Sequence, residues 1–308
     1  VLRHALLLLA LGRLGCTQNP EGRTAVSEVQ IRGNEAIGDG EVEEKIATTE
    51  TTKFLGLFPG VLYEYEVFDR YVFQRDLARV EAFYRTKGYY HAKARAGRVH
   101  PLSGRKVRVE VVVDEGEVVR VRDVRVEGLE GLPEEIAEAA RRAATEGLRE
   151  GRPFEEEAFD KTKTAVRRAL SDRAYAYAKV EHEAAVDIVA NKADVVFRVR
   201  PGKATVMGPI TIEGLGELPE KPVRRALDMK EGEPYSEVDL ELAQQALLEL
   251  GVFASVMVKP DLPDPPRVDD TVPILVQLEP ARLRTVRLGG GIEFDAIKTD
   301  IHAVAGWE

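Results

Sequence analysis

The chain has 308 residues, of which 53 are acidic and 44 are basic, so its formal net charge is -9. Because proteins bind nucleic-acid phosphates through clustered Lys and Arg, this balance argues against nucleic acid as a partner. A single cysteine, Cys16, excludes an internal disulfide, and five histidines without close pairs argue against zinc, so we expect neither a metal site nor a cofactor.

Residues 1–16 have the order of a secretory signal peptide, with a basic start, an apolar run from Ala5 to Leu11 and then small residues. The run is shorter than the roughly 20 apolar residues that a membrane-spanning helix needs. Leu14-Gly15-Cys16 also resembles the end of a bacterial lipoprotein signal, which makes Cys16 a candidate lipidation site, although Arg13 departs from that pattern. Ordinary cleavage nearby and a mis-assigned start that leaves a disordered leader are the alternatives. Residues 17–24 are expected to form a linker.

Three copies of one unit follow the linker. Each copy opens with a strand of alternating apolar residues, a glycine and a helical stretch: SEVQIRGNEAIGDGEVEEKI from Ser27, RDVRVEGLEGLPEEIAEAA from Arg122 and GPITIEGLGELPEKPVRRAL from Gly208. An aromatic residue, a second helix and two strands complete each copy; the aromatic residues are Phe68, Phe154 and Tyr235. Phe68 and Phe154 are 86 residues apart, as are Lys106 and Lys192, so the first two copies stay in register.

The second helix of each unit is amphipathic. In the first unit Leu77, Val80, Phe83 and Tyr84 recur at three- and four-residue steps, which predicts a buried stripe. Leu240, Ala243, Leu247 and Leu250 predict the same stripe in the third unit. Gly88 and Gly251 follow these stripes where a helix end favours a left-handed residue, whereas the second unit has Ala174 there.

The repeated order of strand, helix, helix, strand and strand predicts an α+β fold of three tandem βααββ domains, in which two helices cover one face of a small sheet. We place the domains at residues 25–116, 117–202 and 203–280. Residues 281–308 alternate again: Val286, Leu288, Ile292 and Phe294 share one face, and Ile301, Ala303, Ala305 and Trp307 share another. This pattern predicts a hairpin with one apolar face.

Three such units after a secretion signal resemble the polypeptide-transport-associated (POTRA) domains of BamA-type and TamA-type outer-membrane proteins. The resemblance covers about residues 25 to 280 and is most specific at the glycines Gly33, Gly128, Gly214, Gly88 and Gly251. It implies periplasmic domains in front of an outer-membrane β-barrel, of which 281–308 is the first, truncated hairpin. It also implies that the whole protein assembles or inserts outer-membrane proteins. Three units favour the TamA-like type, because BamA-like proteins usually have five.

In POTRA domains the second strand of the sheet usually forms an open edge, to which an unfolded polypeptide can add a strand by β-augmentation. The resemblance therefore implies edges at about 90–99, 175–185 and 253–259. The candidate edge residues are Tyr90, Ala92, Ala94, Tyr175, Tyr177, Val180, Phe253, Val256 and Val258. The implied partners are unfolded outer-membrane or secreted polypeptides, outer-membrane lipid, and a periplasmic or inner-membrane partner protein.

No catalytic set emerges from the sequence, and we expect no enzyme. Glu155-Glu156-Glu157 is better explained by a helix start, where carboxylates interact well with the helix dipole, and Glu181-His182-Glu183 by alternating strand positions. Gly289-Gly290-Gly291 is not a phosphate loop, because no Lys-Ser/Thr pair and no helix follow it. The alternatives are a two-partner secretion transporter, a periplasmic enzyme or cell-wall-binding module, and a soluble periplasmic adaptor if the chain ends at residue 308.

Overall fold

The computed structural model describes residues 23–49, 53–54, 58–59, 66–263, 270–281, 286–294 and 299–307. The predictions of a signal peptide and of lipidation at Cys16 lie outside the described residues. Side chains are described up to residue 281, except for those between 50 and 65 and between 264 and 269. Within the described ranges, no helix has the length and apolarity to cross a bilayer.

The structure contains three copies of the predicted unit. The first has β1 (Ala25–Arg32), α1 (Asp39–Glu43), β2 (Lys53–Phe54), β3 (Phe58–Pro59), α2 (Arg70–Thr86), β4 (Lys93–Leu102) and β5 (Lys106–Asp114). The second has β6 (Arg120–Glu127), α3 (Glu134–Gly147), α4 (Glu156–Ser171), β7 (Lys179–Asp187) and β8 (Lys192–Arg200). The third has β9 (Val206–Glu213), α5 (Glu220–Leu227), α6 (Glu237–Glu249), β10 (Phe253–Pro260) and β11 (Thr271–Pro280).

Each repeat builds one three-stranded sheet whose central strand is the last strand of the repeat. The strand orders are β1-β5-β4, β6-β8-β7 and β9-β11-β10. In the first and third repeats the opening strand runs parallel to the central strand, and the second strand runs antiparallel to it. The predicted α+β fold of three βααββ units is confirmed, and the first repeat adds the short ribbon β2–β3 between its helices.

The cores of the first and third repeats lie between the sheet and the second helix. In the first, Val80 and Tyr84 of α2 pack among valines of β5 such as Val109. In the third, Leu240, Ala243 and Leu247 of α6 are buried as predicted. The prediction for Leu250 is wrong, because α6 ends at Glu249 and Leu250 remains 40% exposed beyond the last helical turn.

A glycine with positive φ follows the opening strand of each repeat and touches the central strand. Gly33, Gly128 and Gly214 all have φ of +81°, and a Cβ atom on them would lie 2.1, 2.0 and 1.9 Å from the carbonyl oxygens of Val113, Val199 and Leu278. No side chain fits at such a distance, and L-residues rarely adopt this backbone conformation. The sheet can therefore close against the chain that leaves it only if this residue is glycine.

Contacts between Cα atoms divide the chain into two compact units whose boundary crosses the second repeat, so that residues up to 124, 147–161 and 183–195 form the first unit and the others the second. Within the first, the Val119 N–H donates to the Gly88 carbonyl at 2.9 Å and the Phe154 N–H to the Val119 carbonyl at 2.9 Å. We call this main-chain contact between successive repeats a joint.

The joint within the second unit has the same pattern. The Thr205 N–H donates to the Ala174 carbonyl at 2.7 Å, and the Tyr235 N–H donates to the Thr205 carbonyl at 3.1 Å. Ala174 has φ of +75°, close to the +90° of Gly88. The second repeat therefore keeps the left-handed conformation at the end of its helix, although alanine replaces glycine there.

The described part of the C-terminal segment is a hairpin. Strand β12 (Val286–Phe294) pairs antiparallel with β13 (Thr299–Trp307), and Val286 lies opposite Trp307. The register places Leu288 opposite Ala305 and Ile292 opposite Ile301. The predicted pairing of the two alternating segments is thus present, and their place in a barrel stays a prediction.

Candidate functional site

The second strand of every repeat lies at an edge of its sheet, as predicted. These edge strands are β4, β7 and β10. A strand at an edge directs alternate backbone N–H and C=O groups away from its sheet, where another chain can pair with them.

The structure places some of the predicted edge residues on the strands and others before them. Ala94, Val180, Phe253, Val256 and Val258 lie on β4, β7 and β10. The other four, Tyr90, Ala92, Tyr175 and Tyr177, precede the strands and are corrections to the predicted ranges.

A turn after the helix explains those corrections. The Ala92 N–H donates to the Tyr89 carbonyl at 3.2 Å, and the Ala178 N–H donates to the Tyr175 carbonyl at 3.0 Å. The residues between the helix end and the edge strand therefore form turns, and the strand begins after them.

Four of the five predicted edge side chains that lie on the strands point into their own domain. Ala94, Val180, Phe253 and Val256 are all less than a tenth exposed. An added strand would therefore contact the backbone of these residues. It would also contact the alternate side chains of the edge strand, which point away from the core. Val99 and Leu102 on β4 and Met257 on β10 are the large apolar side chains exposed there. The period of two along a strand could have singled out Met257, which lies between the predicted Val256 and Val258.

Side chains of the second helix cap two of the three edges. The Ala94 N–H on β4 donates to Glu81 Oε1 of α2 at 3.1 Å, and the Val258 N–H on β10 donates to Gln244 Oε1 of α6 at 3.1 Å. These edge donors are already satisfied, so an added strand must displace a side chain to reach them.

A bulge further protects β4. Its pairing with β5 shifts register between Ala96 and Val99, and the Arg98 N–H donates to Glu110 Oε2 at 3.0 Å. A Cβ atom on Gly97 would lie 2.6 Å from Glu110 Cγ, so a larger residue would displace the Glu110 side chain from this hydrogen bond. Bulges of this kind hinder pairing with another chain.

The second repeat has a different residue at the capping position. Glu81, Arg167 and Gln244 each lie seven residues before the left-handed residue that ends their helix region. A guanidinium group has donors only, so Arg167 cannot accept a hydrogen bond from the β7 backbone as its counterparts do from β4 and β10.

Arg167 instead binds the third repeat. Its Nη1 and Nη2 atoms donate to the two carboxylate oxygens of Glu237, each at 3.0 Å, and Ser171 Oγ donates to the same carboxylate at 2.5 Å. The bond from Arg167 is the main cause that holds the pKa of Glu237 below its usual range, and it raises the pKa of Arg167. Both groups therefore stay charged at neutral pH.

A groove lies beside the start of β7. It has a volume of ≈ 440 Å³ and is lined by Arg167, Ala176, Tyr177, Ala178, Lys179, Arg200, Gly202, Leu262 and Pro263. All three charged residues in this lining are basic. Arg167 is paired with Glu237, and Arg200 lies 3.0 Å from Glu181, so the groove next to β7 offers mainly its apolar walls.

The acidic segments at the start of α4 and on β7 make ordinary structural contacts. Glu156 begins α4, and a hydrogen bond from Lys161 and the charge of Lys161 lower the pKa of Glu157, whereas a general acid needs a raised one. His182 stacks on Phe197 with ring centroids 6.4 Å apart. Over the part of the chain that the structure describes, no three His, Cys, Asp or Glu residues are arranged to hold a metal ion.

Comparisons with known proteins agree with the repeat architecture. A family model described as "POTRA: Surface antigen variable number repeat" matches residues 24–116, 119–202 and 205–281. The chain is 22% identical over 238 residues to the outer membrane protein assembly factor BamA of Neisseria meningitidis serogroup B. That match covers 77% of this chain and 29% of the relative, so the chain spans less than a third of that protein's length.

A solved structure of low sequence identity shows the same fold. POTRA domains 3–5 of Haemophilus influenzae BamA align with a TM-score of 0.52 and 20% identity, covering 84% of this chain and 98% of that one. BamA from Haemophilus ducreyi lacking POTRA domains 1–3 aligns with a TM-score of 0.46 and 19% identity, covering 56% of this chain and 31% of that one.

Proposed function

The chain belongs to the POTRA family of surface antigen repeats, and on that basis we propose that it captures unfolded polypeptides by β-augmentation for assembly into the bacterial outer membrane. The BamA relative is an outer membrane protein assembly factor, which supports the same process for this chain. In this proposal the three repeats of this chain lie in the periplasm. The hairpin β12–β13 leads into a C-terminal barrel that receives the captured polypeptide. The role is that of a binding scaffold and requires no catalytic group.

The position of the second strand carries this proposal. In all three repeats that strand lies at an edge of its sheet. Recognition through backbone hydrogen bonds depends little on the sequence of the added strand, which suits a factor with many clients. The buried edge side chains support this type of recognition, because they leave the backbone as the main contact surface.

We place the principal capture site on β7 of the second repeat. Glu81 and Gln244 occupy backbone donors of β4 and β10, whereas Arg167 cannot cap β7 in this way. The groove beside β7 then favours clients with an apolar side chain, because Ala176, Ala178 and Leu262 line it.

Proline substitution of Ala184 tests this site. Val180 is 86 residues after Ala94, whose N–H points to the outer edge, and Ala184 lies four residues further along β7. Since strand backbone groups alternate with a period of two, we expect the Ala184 N–H to point outward as well. Proline there removes one outward donor, and on an edge strand it can leave the sheet intact.

The probe is a fluorescent synthetic strand of about ten residues with alternating apolar and polar side chains, similar to an outer-membrane barrel strand. We expect Ala184→Pro to weaken its binding to the full chain about tenfold, the equivalent of one or two hydrogen bonds. The control Ala184→Thr keeps the N–H and should bind as the unchanged chain does. If Ala184→Pro unfolds at the same urea concentration as the control and binds the peptide equally well, β7 is not the capture site.

A further inference from the structure

Helix α6 of the third repeat carries an exposed apolar surface in addition to the face that packs into the core. Val238, Leu242, Ala246 and Leu250 follow each other at four-residue steps along α6 and its end, and a four-residue step keeps side chains on one helix face. Leu242 is 59% exposed and Leu250 is 40% exposed. The buried residues Leu240, Ala243 and Leu247 form a separate stripe, so α6 has two apolar faces, although a surface helix with one core needs only one.

The other two repeats lack a large apolar residue at the position of Leu242. The residue four positions before the left-handed end of each helix region is buried in all three repeats: Tyr84, Leu170 and Leu247. With the helices aligned in this way, the counterparts of Leu242 are Arg79 and Ala165, both exposed. The fold of the repeat therefore does not require an apolar residue at this position.

The exposed stripe borders a groove between α5 and α6. The groove has a volume of ≈ 340 Å³, and Ala226, Leu227 and Met229 line it from the side of α5, opposite Leu242 and Ala246. Its two charged lining residues, Asp228 and Asp239, are both acidic. An exposed apolar strip with a polar rim is typical of a protein-binding surface.

We propose that this groove docks an amphipathic helix of a partner protein, whose apolar face is flanked by Lys or Arg. Side chains at four-residue steps form the ridges that pack into the surface of another helix. Asp228 and Asp239 attract basic residues and repel the phosphates of a lipid surface. They also oppose a second copy of this chain, which would bring the same carboxylates and a net charge of -9 toward them.

Two synthetic helical peptides with the same leucine spacing test the proposal, one with Lys and one with Glu beside the apolar face. Titrated into the full chain, the Lys peptide should bind at least tenfold more tightly than the Glu peptide. Leu242→Gln should weaken the Lys peptide at least fivefold without a change in net charge. Val189→Gln is the control, since Val189 is an exposed apolar residue on the second repeat, and it should leave binding unchanged.

A second pair of variants separates local from overall charge. Asp228→Asn with Asp239→Asn should abolish most of the preference for Lys, whereas Glu146→Gln with Glu150→Gln changes the net charge equally on the second repeat and should preserve it. Equal effects of the two pairs, or no effect of Leu242→Gln, would overturn the proposal. So would Leu242-dependent binding to phosphatidylglycerol vesicles, or Leu242-dependent dimerisation in sedimentation.

Discussion

At the scale of single residues, the glycine after each opening strand is the position with the least freedom to change. Gly128 has φ of +81° and its missing Cβ would lie 2.0 Å from the Val199 carbonyl oxygen. Gly131, three residues later, has φ of +84°, but no atom lies within 4 Å of the place that its Cβ would occupy. The two glycines thus share a backbone conformation and differ only in the space around them.

We therefore expect Gly128→Ala to destabilise the chain by roughly 3 kcal/mol or more, because it adds a clash with backbone to the backbone strain. Gly131→Ala should cost only about 1 kcal/mol, the strain alone. Urea unfolding followed by circular dichroism measures both. Equal losses for the two variants would show that the contact with Val199 yields easily and that conformation alone requires glycine.

Asp76 is the residue at which pH should act on the first repeat. Its side chain is fully buried and accepts hydrogen bonds from the Ala47 N–H, the Thr48 N–H and Thr48 Oγ1, at 2.9, 2.9 and 2.6 Å, and from Arg79 at 2.7 Å. Burial raises the pKa of Asp76, but these hydrogen bonds together outweigh burial and hold it below its usual value. The carboxylate thereby ties the chain that follows α1 to α2.

Because the pKa of Asp76 is lower in the folded chain, its contribution to stability is complete above the unfolded value of about 4 and is lost as pH falls through that value toward the folded pKa. We expect Asp76→Asn to lower the free energy of unfolding by roughly 2 kcal/mol at pH 7, because an amide N–H₂ donor replaces a carboxylate oxygen that accepts hydrogen bonds. The loss should be smaller at pH 3. Urea midpoints at both pH values measure this. The exposed Glu44→Gln should have little effect, and a cost for Asp76→Asn that does not shrink at pH 3 would contradict the assignment.

At the scale of elements, the sequence predicts the strands and helices well. It predicts the contacts between those elements less well. Alternation and the glycines Gly33, Gly128 and Gly214 identify the strands, because both depend on backbone geometry within a few residues. The helix cap on the edge strand escapes prediction, since Glu81 and Ala94 lie thirteen residues apart and meet only in the folded domain. The apolar spacing continues past Glu249, where α6 ends, and therefore predicts burial for Leu250, which is exposed.

The edge caps lead to a prediction for β4. Replacing Glu81 by the residue of the second repeat, Glu81→Arg, removes the acceptor of the Ala94 N–H, so hydrogen exchange at Ala94 should accelerate about fivefold, the equivalent of roughly 1 kcal/mol. Exchange-detected mass spectrometry or NMR measures the rate. The conservative Glu81→Gln keeps an acceptor oxygen and should exchange almost as slowly as the unchanged chain. Unchanged protection in Glu81→Arg would mean that the cap does not protect the edge.

At the scale of the whole molecule, the sequence predicts the number and order of the repeats because each repeat closes its own sheet and core. It does not predict the helix caps on the edge strands, because Glu81 meets β4 and Gln244 meets β10 only in the folded domain. Repeats with the same backbone therefore differ in the side chains that they present. The exposed Leu242 of the third repeat, where the others have Arg79 and Ala165, is a second example of this difference.

The joints between repeats bear on how such a chain changes in evolution. Their hydrogen bonds join main-chain atoms of Gly88, Val119 and Phe154 and, in the same way, those of Ala174, Thr205 and Tyr235. Almost every amino acid supplies the same main-chain donors and acceptors, so a gene duplication or an unequal crossover that adds or deletes one unit recreates a junction of the same kind. No compensating substitution is needed for these hydrogen bonds, and the number of units can change in a single genetic event.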